Sequence, residues 1–536
     1  MKKCFILLTM SSLIVVKSFA QSPIDTVSGY ITSNTTWTKS NVYFMKGFIY
    51  VINGATLTIE PGTLIKGDKA SKGSLVVTRG CKVIADGTPG EPIVFTSNGP
   101  QSFRTYGDWG GVVLLGKATI NQPGGEALIE GGIEDGLGNG TYGGGATPDD
   151  NDNSGIIRYV RIEFPGIAFQ PNSEINGLTC GGVGRGTILD HIQVSYSGDD
   201  SYEFFGGTVN AKHLIAFRGL DDDFDTDNGF GGKLQFLYGL RDPNIADVSG
   251  SNGFESDNDA TGSADIPITK ATFSNVTIAG PRVTATTSIN GSFKRAAHLR
   301  RNTQQDIYNT ILMAYPTGLM IDGPAAEANA LADQLQVRNT IIAGCTANFE
   351  VVAGSTFDIS TWFGTPAYNN ATYANNTDLM LTDPFNLAGP NAMPLIGSPA
   401  LTGADFTNTN LTDPFFEAVS YRGAFGDSDW TSGWTNWTPG NTAYTAVHDP
   451  KSISEINLYP NPMTTQATLN LNLLKGNHVN IEITDLAGRV LSEVLDENMG
   501  AGSHTFNINT HLASGLYLLL IKTGDENQMI KLTIAK

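Results

Sequence analysis

The sequence predicts an all-β protein, a parallel β-helix solenoid followed by a small C-terminal antiparallel β-sandwich. Three observations support this fold class. Short apolar strands and glycine corners recur within residues 55–97, a near-identical 22-residue unit recurs within residues 191–229, and seven short strand candidates end the chain. A unit of this size cannot bury its apolar face alone, so copies must stack into one continuous core.

Residues 1–20 have the pattern of a secretory signal peptide. A basic start, Met1 to Lys3, precedes an apolar run over residues 5–16 and the small-x-small site Ser18-Phe19-Ala20. No later apolar run is long enough to span a bilayer as a helix. Removal of residues 1–20 leaves 30 Lys and Arg against 52 Asp and Glu, a net charge of −22. Nucleic acid is therefore excluded as a partner, whereas cations are compatible.

The solenoid is expected over residues 55–360, with residues 21–54 as N-terminal cap strands. An 18-residue shift of the sequence against itself superimposes Leu57 on Leu75 and Ile65 on Val83. The Gly- and Asp-rich residues 121–154 interrupt the pattern and are interpreted as a loop excursion. A sandwich of antiparallel hairpins is the competing fold, but the regular two-residue Asn-Gly or Asp-Gly turns that hairpins prefer are missing.

A second strand signature follows, with a polar or aromatic residue near the start of each apolar strand and spacings of 22 to 34 residues. This spacing is typical of one coil of a wide β-helix. The strands cover residues 158–162, 190–194, 212–216, 232–236, 274–278, 308–312 and 338–342. His191 and His213 occupy the position of Asn275, Asn309 and Asn339 in later coils, which favours a structural polar ladder over zinc ligation.

Residues 73–97, GSLVVTRGCKVIADGTPGEPIVFTS, are followed by the glycine-tryptophan motif Gly107-Asp108-Trp109-Gly110-Gly111. Together they resemble the right-handed parallel β-helix shared by pectate lyases and polygalacturonases. The resemblance covers roughly residues 48–350. It implies a secreted bacterial protein, with no assigned activity.

The 22-residue repeat carries the strongest candidate for chemistry. Equivalent residues on neighbouring coils lie about 4.8 Å apart, where two carboxylates repel by about 3 kcal/mol at an effective dielectric near 20. Stacked pairs must protonate, splay into solvent or bind a cation. Ca²⁺ takes six to eight oxygen ligands in flexible geometry. The predicted metal ligands are Asp199, Asp200, Glu203, Asp221, Asp222, Asp223, Asp225, Asp227, Asp257 and Asp259; a solvated acidic loop edge is the alternative.

Paired carboxylates on a β-helix face also suit the acid and base of glycoside hydrolysis. The candidate catalytic residues are Asp199, Asp200, Asp221 and Asp222. Ser197-Gly198-Asp199-Asp200 resembles the Asp-Asp motif of polygalacturonases, but the Gly-His-Gly and Arg-Ile-Lys motifs of that family are missing. No arginine set matches that of pectate lyases, so catalysis ranks behind binding.

Residues 361–437 form an irregular segment that ends in a tryptophan cluster. Trp430, Trp434 and Trp437 lie within eight residues. Exposed indoles would offer a platform for pyranose rings. A packed cap at the end of the solenoid is the favoured alternative. Residues 438–451 are a polar linker.

The final unit, residues 452–536, is predicted to be a β-sandwich with short turns. It contains Tyr459-Pro460-Asn461-Pro462, then Asp485-Leu486-Ala487-Gly488 and Gly515-Leu516-Tyr517. In this order the motifs closely resemble the type A C-terminal sorting domain of the type IX secretion system. The resemblance implies that the secretion machinery is a partner, and that the chain reaches the cell surface or the medium after Sec transport to the periplasm.

These features predict a secreted or surface-displayed β-helix that binds extracellular material, a glycan in the first instance, with Ca²⁺ on the acidic rungs. A polysaccharide lyase or glycoside hydrolase is the second hypothesis. A structural surface or matrix protein is the third. The fold alone does not choose among them.

Overall fold

The computed structural model describes residues 24–170, 173–444, 453–473, 476–485, 488–523 and 526–536. The chain divides into two compact units, Met1–Ala446 and Val447–Lys536. The predicted signal peptide and residues 445–451 of the predicted linker lie outside the described residues. Within the described chain, no helix combines the length and apolar character needed to cross a membrane.

The first unit is a parallel β-solenoid, as the repeats predict. Within the described residues, 26 of its strands form one continuous sheet, and each of these pairs in parallel with a strand one coil away. This pairing excludes the antiparallel hairpin sandwich. The strands stack into three faces, here named faces 1, 2 and 3, which enclose a single apolar core.

Five long strands bend at a corner and contribute their first halves to face 1 and their second halves to face 2: Gly155–Glu163, Ile188–Ser195, Asn210–Phe217, Lys233–Leu240 and Thr272–Ala279. Face 1 also contains Thr35–Trp37, Thr56–Ile59, Lys82–Asp86, Asp306–Tyr308 and Val337–Arg338. Face 2 also contains the starts of Ile24–Ile31 and Val42–Val51, then Leu64–Gly67, Ile93–Ser97, Ile311–Met313, Ile341–Ala343 and Ala371–Tyr373. Face 3 contains the ends of those first two strands and then Ser74–Val77, Val112–Leu115, Leu178–Val183, Tyr202–Gly207, Phe224–Asp227, Phe254–Ser256, Arg295–Leu299, Thr317–Ile321 and Ala347–Val351.

The early coils are longer than the 18-residue shift predicted. Leu57 pairs with Val83 on the next coil of face 1, whereas Leu75 belongs to face 3. The 18-residue similarity therefore relates strands on different faces, because every strand of a solenoid has a similar apolar pattern. The predicted cap strands pair in parallel with the next coil, Val42 with Leu64.

Trp109 of the glycine-tryptophan motif packs inside the apolar core of the solenoid. Trp109 is fully buried, stacks on Phe95 at 6.2 Å between ring centroids, and donates its indole N–H to the carbonyl oxygen of Glu163 at 2.7 Å. A Cβ atom on Gly67 would lie 2.4 Å from Trp109. The motif thus depends on a glycine in the adjacent coil.

The corner between faces 1 and 2 has a left-handed residue in each of seven successive coils. Their φ angles lie between 48° and 62°, a region in which Asn is enriched and bulky residues are uncommon. The corner residues are Tyr159, His191, His213, Phe236, Asn275, Asn309 and Asn339. His191 and His213 therefore occupy the same corner position as the later asparagines, as the sequence pattern predicts.

Residues 403–444, here named the strap, lie along the side of the solenoid and contact its coils from Asn339 to Glu163. Amide side chains of the solenoid bind the strap backbone in pairs: Asn309 both donates to and accepts from Asp405, and Gln193 does the same with Asn436. The first part of the predicted linker belongs to the strap, because Tyr444 hydrogen-bonds to Glu163 at 2.6 Å.

Short elements complete the first unit. Antiparallel hairpins pair Ala127–Leu128 with Thr141–Tyr142, Ala168–Gln170 with Ser173–Glu174, and Leu381–Asp383 with Asn391–Pro394. The α-helices are Pro324–Leu331 and Ile359–Phe363, and the 3₁₀ helices are Pro123–Gly125, Pro366–Tyr368, Asn376–Leu379, Pro399–Leu401, Thr409–Leu411 and Pro439–Asn441. Trp362 in the second helix is buried against the end of the main core.

The described residues of the second unit form seven antiparallel strands in two sheets, as predicted. One sheet holds Ile453–Tyr459, Gln466–Leu473 and Gly502–Asn509; the other holds Val490–Met499, Asn477–Thr484, Gly515–Thr523 and Glu526–Ile534. Alternate residues of these strands, such as Leu469 and Ile481, form a separate apolar core. This core lets the unit fold as its own domain.

Candidate metal centre

An acidic row runs across face 3. The register pairs Glu203 with Asp225 and Asp225 with Glu255 on three successive coils. Their neighbours Tyr202 and Phe224 are fully buried and stack at 5.4 Å inside the core. Because successive side chains of a strand point to opposite sides, the core aromatics force the carboxylates outwards into one row.

A second row, Asp200 and Asp222, lies beside the first. Its carboxylates accept hydrogen bonds from the backbone of the next coil. The Asp200 carboxylate accepts the backbone N–H of Asp222 at 2.8 Å, and the Asp222 carboxylate accepts the backbone N–H of Asn252. Asp200 and Asp222 are therefore bound to the scaffold, with 7% and 4% of their surface exposed. One oxygen of each is held in place by these bonds.

The two rows bring carboxylate oxygens together in three overlapping groups. Within each group the oxygens lie within 4.8 Å of one another. The groups are Asp199 with Asp200 and Asp221, Asp200 with Glu203 and Asp225, and Asp222 with Asp225 and Glu255. Glu255 was missed from the sequence, although continuing the register of Asp225 by one coil identifies it.

Burial and mutual repulsion oppose ionisation of these groups. Burial, followed by neighbouring carboxylates, raises the pKa values of Asp200, Glu203 and Asp225 well above their ordinary values. The same two causes raise the pKa of Asp221 to about 9, and burial with Glu255 raises that of Asp222 to about 7. A bound cation would reverse these shifts because it favours the charged form.

Two carboxylate oxygens of the convergent groups lack hydrogen-bond partners within the described residues. Asp221 Oδ1 and Asp225 Oδ1 are buried and accept no hydrogen bond within the described chain. The other Asp221 oxygen accepts from Ser249 at 2.9 Å. Unsatisfied buried oxygens beside further carboxylates form a donor set of the kind that Ca²⁺ requires.

Cationic side chains flank the rows on a later coil. The register places His298 beside Glu255. His298 contacts Glu255 at 3.3 Å and Asp322 at 2.8 Å, and Arg300 pairs with Glu255 and with Asp257. The Arg300 guanidinium therefore brings a positive charge to the Glu255 end of the acidic rows.

Several predicted ligands have other partners. Asp223 turns inwards to a buried ion pair with Arg241 at 3.1 Å. Asp257 pairs with Arg300 at 2.7 Å, and Asp259 accepts hydrogen bonds from its own loop, including Thr261 at 2.7 Å. These three residues lie outside the convergent groups.

Asp227 also lies outside the three groups. Burial and the neighbouring Asp257 raise its pKa to about 7. The basic residues closest to the acidic repeat in the sequence also have other ion-pair partners: Lys212 pairs with Glu417, Arg218 with Asp242 and Lys233 with Asp413. The rows thus depend on Arg241, His298 and Arg300 for positive charge, none of which the local sequence pattern identified.

The tryptophan cluster packs against face 2. Trp434 is 2% exposed and donates its indole N–H to the Trp430 carbonyl oxygen at 2.9 Å. Trp430 stacks on Phe425 at 5.4 Å, and Trp437 meets Phe217 edge-on at 5.1 Å. The cluster attaches the strap to the solenoid.

The sorting motifs support local structure in the second unit. The Asn461 side chain donates to the Lys531 carbonyl oxygen at 2.6 Å and accepts the backbone N–H of Thr533 at 2.9 Å. Asp485 accepts the backbone N–H of Arg489 at 2.9 Å across a turn that includes Gly488 at φ 81°. Of the remaining motif positions, Tyr459 is exposed, Gly515 and Tyr517 lie in one strand, and Pro460 and Pro462 flank Asn461.

Comparison with family models gives two matches. A model described as a pectate-lyase like beta helix domain matches residues 29–435, about three quarters of the chain. A model described as a secretion system C-terminal sorting domain matches residues 457–535. No curated protein matches the chain.

Proposed function

Since the chain belongs to the pectate-lyase-like beta helix family, we propose that it acts outside the cell as a glycan-binding β-helix with Ca²⁺ bound on its acidic rows. Its sorting domain makes it a secreted or outer-surface protein that interacts with the secretion machinery. The observation that supports the Ca²⁺ part is the convergence of Asp200, Glu203 and Asp225 within 4.8 Å on two coils.

Charge balance favours the cation. Four residues of the convergent groups, Asp199, Asp200, Glu203 and Asp225, have other carboxylates as their main electrostatic neighbours. Keeping such groups charged in a partly buried site costs free energy unless an opposite charge is present. Ca²⁺ supplies that charge and accepts the irregular oxygen geometry of two coils.

The glycan part rests on the surface beside the rows. A cavity of about 370 Å³ lies at their Glu255 end and is lined by Thr261, Arg300, Arg301, Asn302 and Asp322, among others. Arginine and amide side chains form directed hydrogen bonds to hydroxyl and anionic groups. A sugar chain lying along face 3 would contact both the cation and this cavity.

Calorimetry tests the proposal. Titration of Ca²⁺ into the metal-free full chain should release or absorb heat with saturation, and Asp225→Asn should abolish it. The matched control is Asp427→Asn, which changes an exposed acid outside the rows and should leave binding unchanged.

Retention of the chain on immobilised polysaccharides, with Ca²⁺ or with a chelator, tests the glycan part. If Ca²⁺ produces no heat, the metal site is refuted. If the chain is retained on no matrix, glycan binding is refuted.

A polysaccharide lyase or glycoside hydrolase is the second candidate. The raised pKa of Asp221, about 9, supports it because a carboxyl group that stays protonated at neutral pH can act as a general acid. Asp199, Asp200 and Asp222 are its candidate partners. Incubation with plant, algal and host polysaccharides, with and without Ca²⁺, tests this candidate. A complete lack of cleavage favours binding or a structural role in the surface matrix.

A further inference from the structure

Residues 121–154, here named the excursion, fold back over face 3 beside the acidic rows. Ile129 of the excursion is buried in one apolar cluster with Val113 of face 3. The parallel register continues from Val113 through Thr179 to Glu203, the first carboxylate of the acidic row. The excursion therefore lies on the apolar stretch of the same row that becomes acidic at Glu203.

Glu130 follows Ile129 in the excursion and lies beside Glu203. The Asn176 side chain is 1% exposed and donates from Nδ2 to Glu130 Oε1 at 3.1 Å. The same nitrogen contacts Glu203 Oε2. One amide nitrogen thus positions both carboxylates by one oxygen each, as outer hydrogen-bond partners do for carboxylate ligands in metal sites.

Carboxylates dominate the surroundings of this contact. After burial, Glu130 contributes most to raising the pKa of Glu203. Burial is followed by Glu130 and Glu174 as the causes that raise the pKa of Asp199. Glu174 belongs to a separate hairpin, so acids from three segments face one another although like charges at this distance repel. A divalent cation between them would turn this repulsion into attraction.

Glu203 is also a member of the convergent group that contains Asp200 and Asp225. In this group Asp225 Oδ1 is buried and accepts no hydrogen bond within the described residues. Three protein ligands leave the coordination shell of Ca²⁺ incomplete, since this ion takes six to eight oxygens. Glu130 is exposed, and its position next to Glu203 adds a carboxylate on the solvent side of the group.

We propose that Glu130 is a further ligand of the Ca²⁺ ion bound by the group of Glu203 and Asp225, and that this ion ties the excursion to face 3. The inference rests on the proposed Ca²⁺ function of the rows. The other ligands belong to two adjacent coils, whereas Glu130 belongs to a segment outside the coils. Ca²⁺ binding therefore stabilises the packing of the excursion on the solenoid, and a chelator weakens it.

Calorimetric titration of Ca²⁺ into the chelator-treated full chain tests the ligand. Glu130→Gln keeps the size of the side chain and its hydrogen bond with Asn176, so it removes only the negative charge. We expect the Ca²⁺ affinity to fall by about tenfold or more, because even the loss of an outer partner of a metal ligand costs that much. The matched control is Glu126→Gln. It changes an acid of the same excursion that pairs with Arg79 and should bind Ca²⁺ as the wild type does.

Hydrogen exchange of the wild-type chain tests the tie without a variant. If opening of the excursion releases the ion, Ca²⁺ at 100 times its dissociation constant should slow exchange of the backbone N–H groups in residues 127–142. The expected slowing relative to chelator is up to about 100-fold. In Glu130→Gln the same comparison should show a much smaller difference.

Three results would overturn the inference. Equal Ca²⁺ affinity in Glu130→Gln and the wild type would remove Glu130 from the site and leave the proposed function intact. Exchange in residues 127–142 that does not respond to Ca²⁺, in a wild-type chain that binds the ion, would exclude the tie. A wild-type chain that binds no Ca²⁺ would refute the proposed metal site and this inference together.

Discussion

Glu203 and Asp225 belong to successive copies of the acidic repeat and occupy the same register position on adjacent coils of face 3. Together with Asp200 they place carboxylate oxygens within 4.8 Å of one another. Two negative charges held this close by a rigid scaffold require a counter-charge or a proton. The stability of the solenoid should therefore depend on both Ca²⁺ and pH.

Ca²⁺ should raise the melting temperature of the full chain. A ligand that binds only the folded state at 100 times its dissociation constant stabilises that state by about 2.7 kcal/mol. Thermal unfolding with Ca²⁺ and with a chelator measures this difference. Asp225→Asn should reduce the increase, whereas Asp427→Asn should preserve it. An equal increase in both variants would contradict the location of the site.

Without Ca²⁺, the folded chain should lose stability as pH rises from about 4 to about 9. Burial raises the pKa values of Asp222 and Asp227 from 3.8 to about 7 and that of Asp221 to about 9. In this window the folded state binds more protons than the unfolded state, so each rise in pH favours unfolding. Melting temperatures in chelator across this range test the prediction, and added Ca²⁺ should flatten the curve. A constant or rising melting temperature in chelator would contradict it.

Trp434→Ala should destabilise the first unit by about 3–5 kcal/mol, because it removes a fully packed aromatic side chain. Retention on polysaccharide should not change at temperatures where the variant is folded. Denaturant unfolding and retention assays measure the two effects. Leu137→Ala, at a side chain that is 73% exposed, serves as the control. Lost retention with unchanged stability would instead support a sugar platform.

Asn309 should be more sensitive to Ala than to Gly. Both substitutions remove the paired hydrogen bonds to Asp405. Only Ala adds the cost of a Cβ atom at φ 50°, about 1–2 kcal/mol. Denaturant unfolding of the two variants isolates this backbone contribution. If Asn309→Ala were as stable as Asn309→Gly, the corner would not require a left-handed residue in solution.

Deletion of residues 452–536 should trap the protein in the periplasm. The sorting domain carries the contact with the secretion machinery, while the solenoid keeps its own core. Fractionation of cells that express the truncated and full-length chains measures the effect. The exposed substitution His511→Asn should be exported normally. Export of the truncated chain would refute the role of the domain.

Most of the architecture could be predicted from the pattern of the chain. Stacking follows from repeats too short to fold alone, and the 22-residue repeat placed Asp225 directly over Glu203, as the register shows. The 18-residue shift failed because it compared strands of two faces, Leu57 on face 1 and Leu75 on face 3. Local similarity does not distinguish faces that share one apolar pattern.

The sequence by itself determined the solenoid, the alternation that turns Glu203 and Asp225 outwards, and the sorting domain, because these depend on short-range periodicity and on contiguous motifs. Only the tertiary structure decided that Asp223 pairs with Arg241, that His298 and Arg300 flank the acidic rows, that Glu130 lies beside Glu203, and that residues 403–444 lie along the side of the solenoid. The physical reason is that coil lengths vary and set which distant residues become neighbours. Charge compensation and ligand geometry depend on those neighbours and not on the order of residues along the chain.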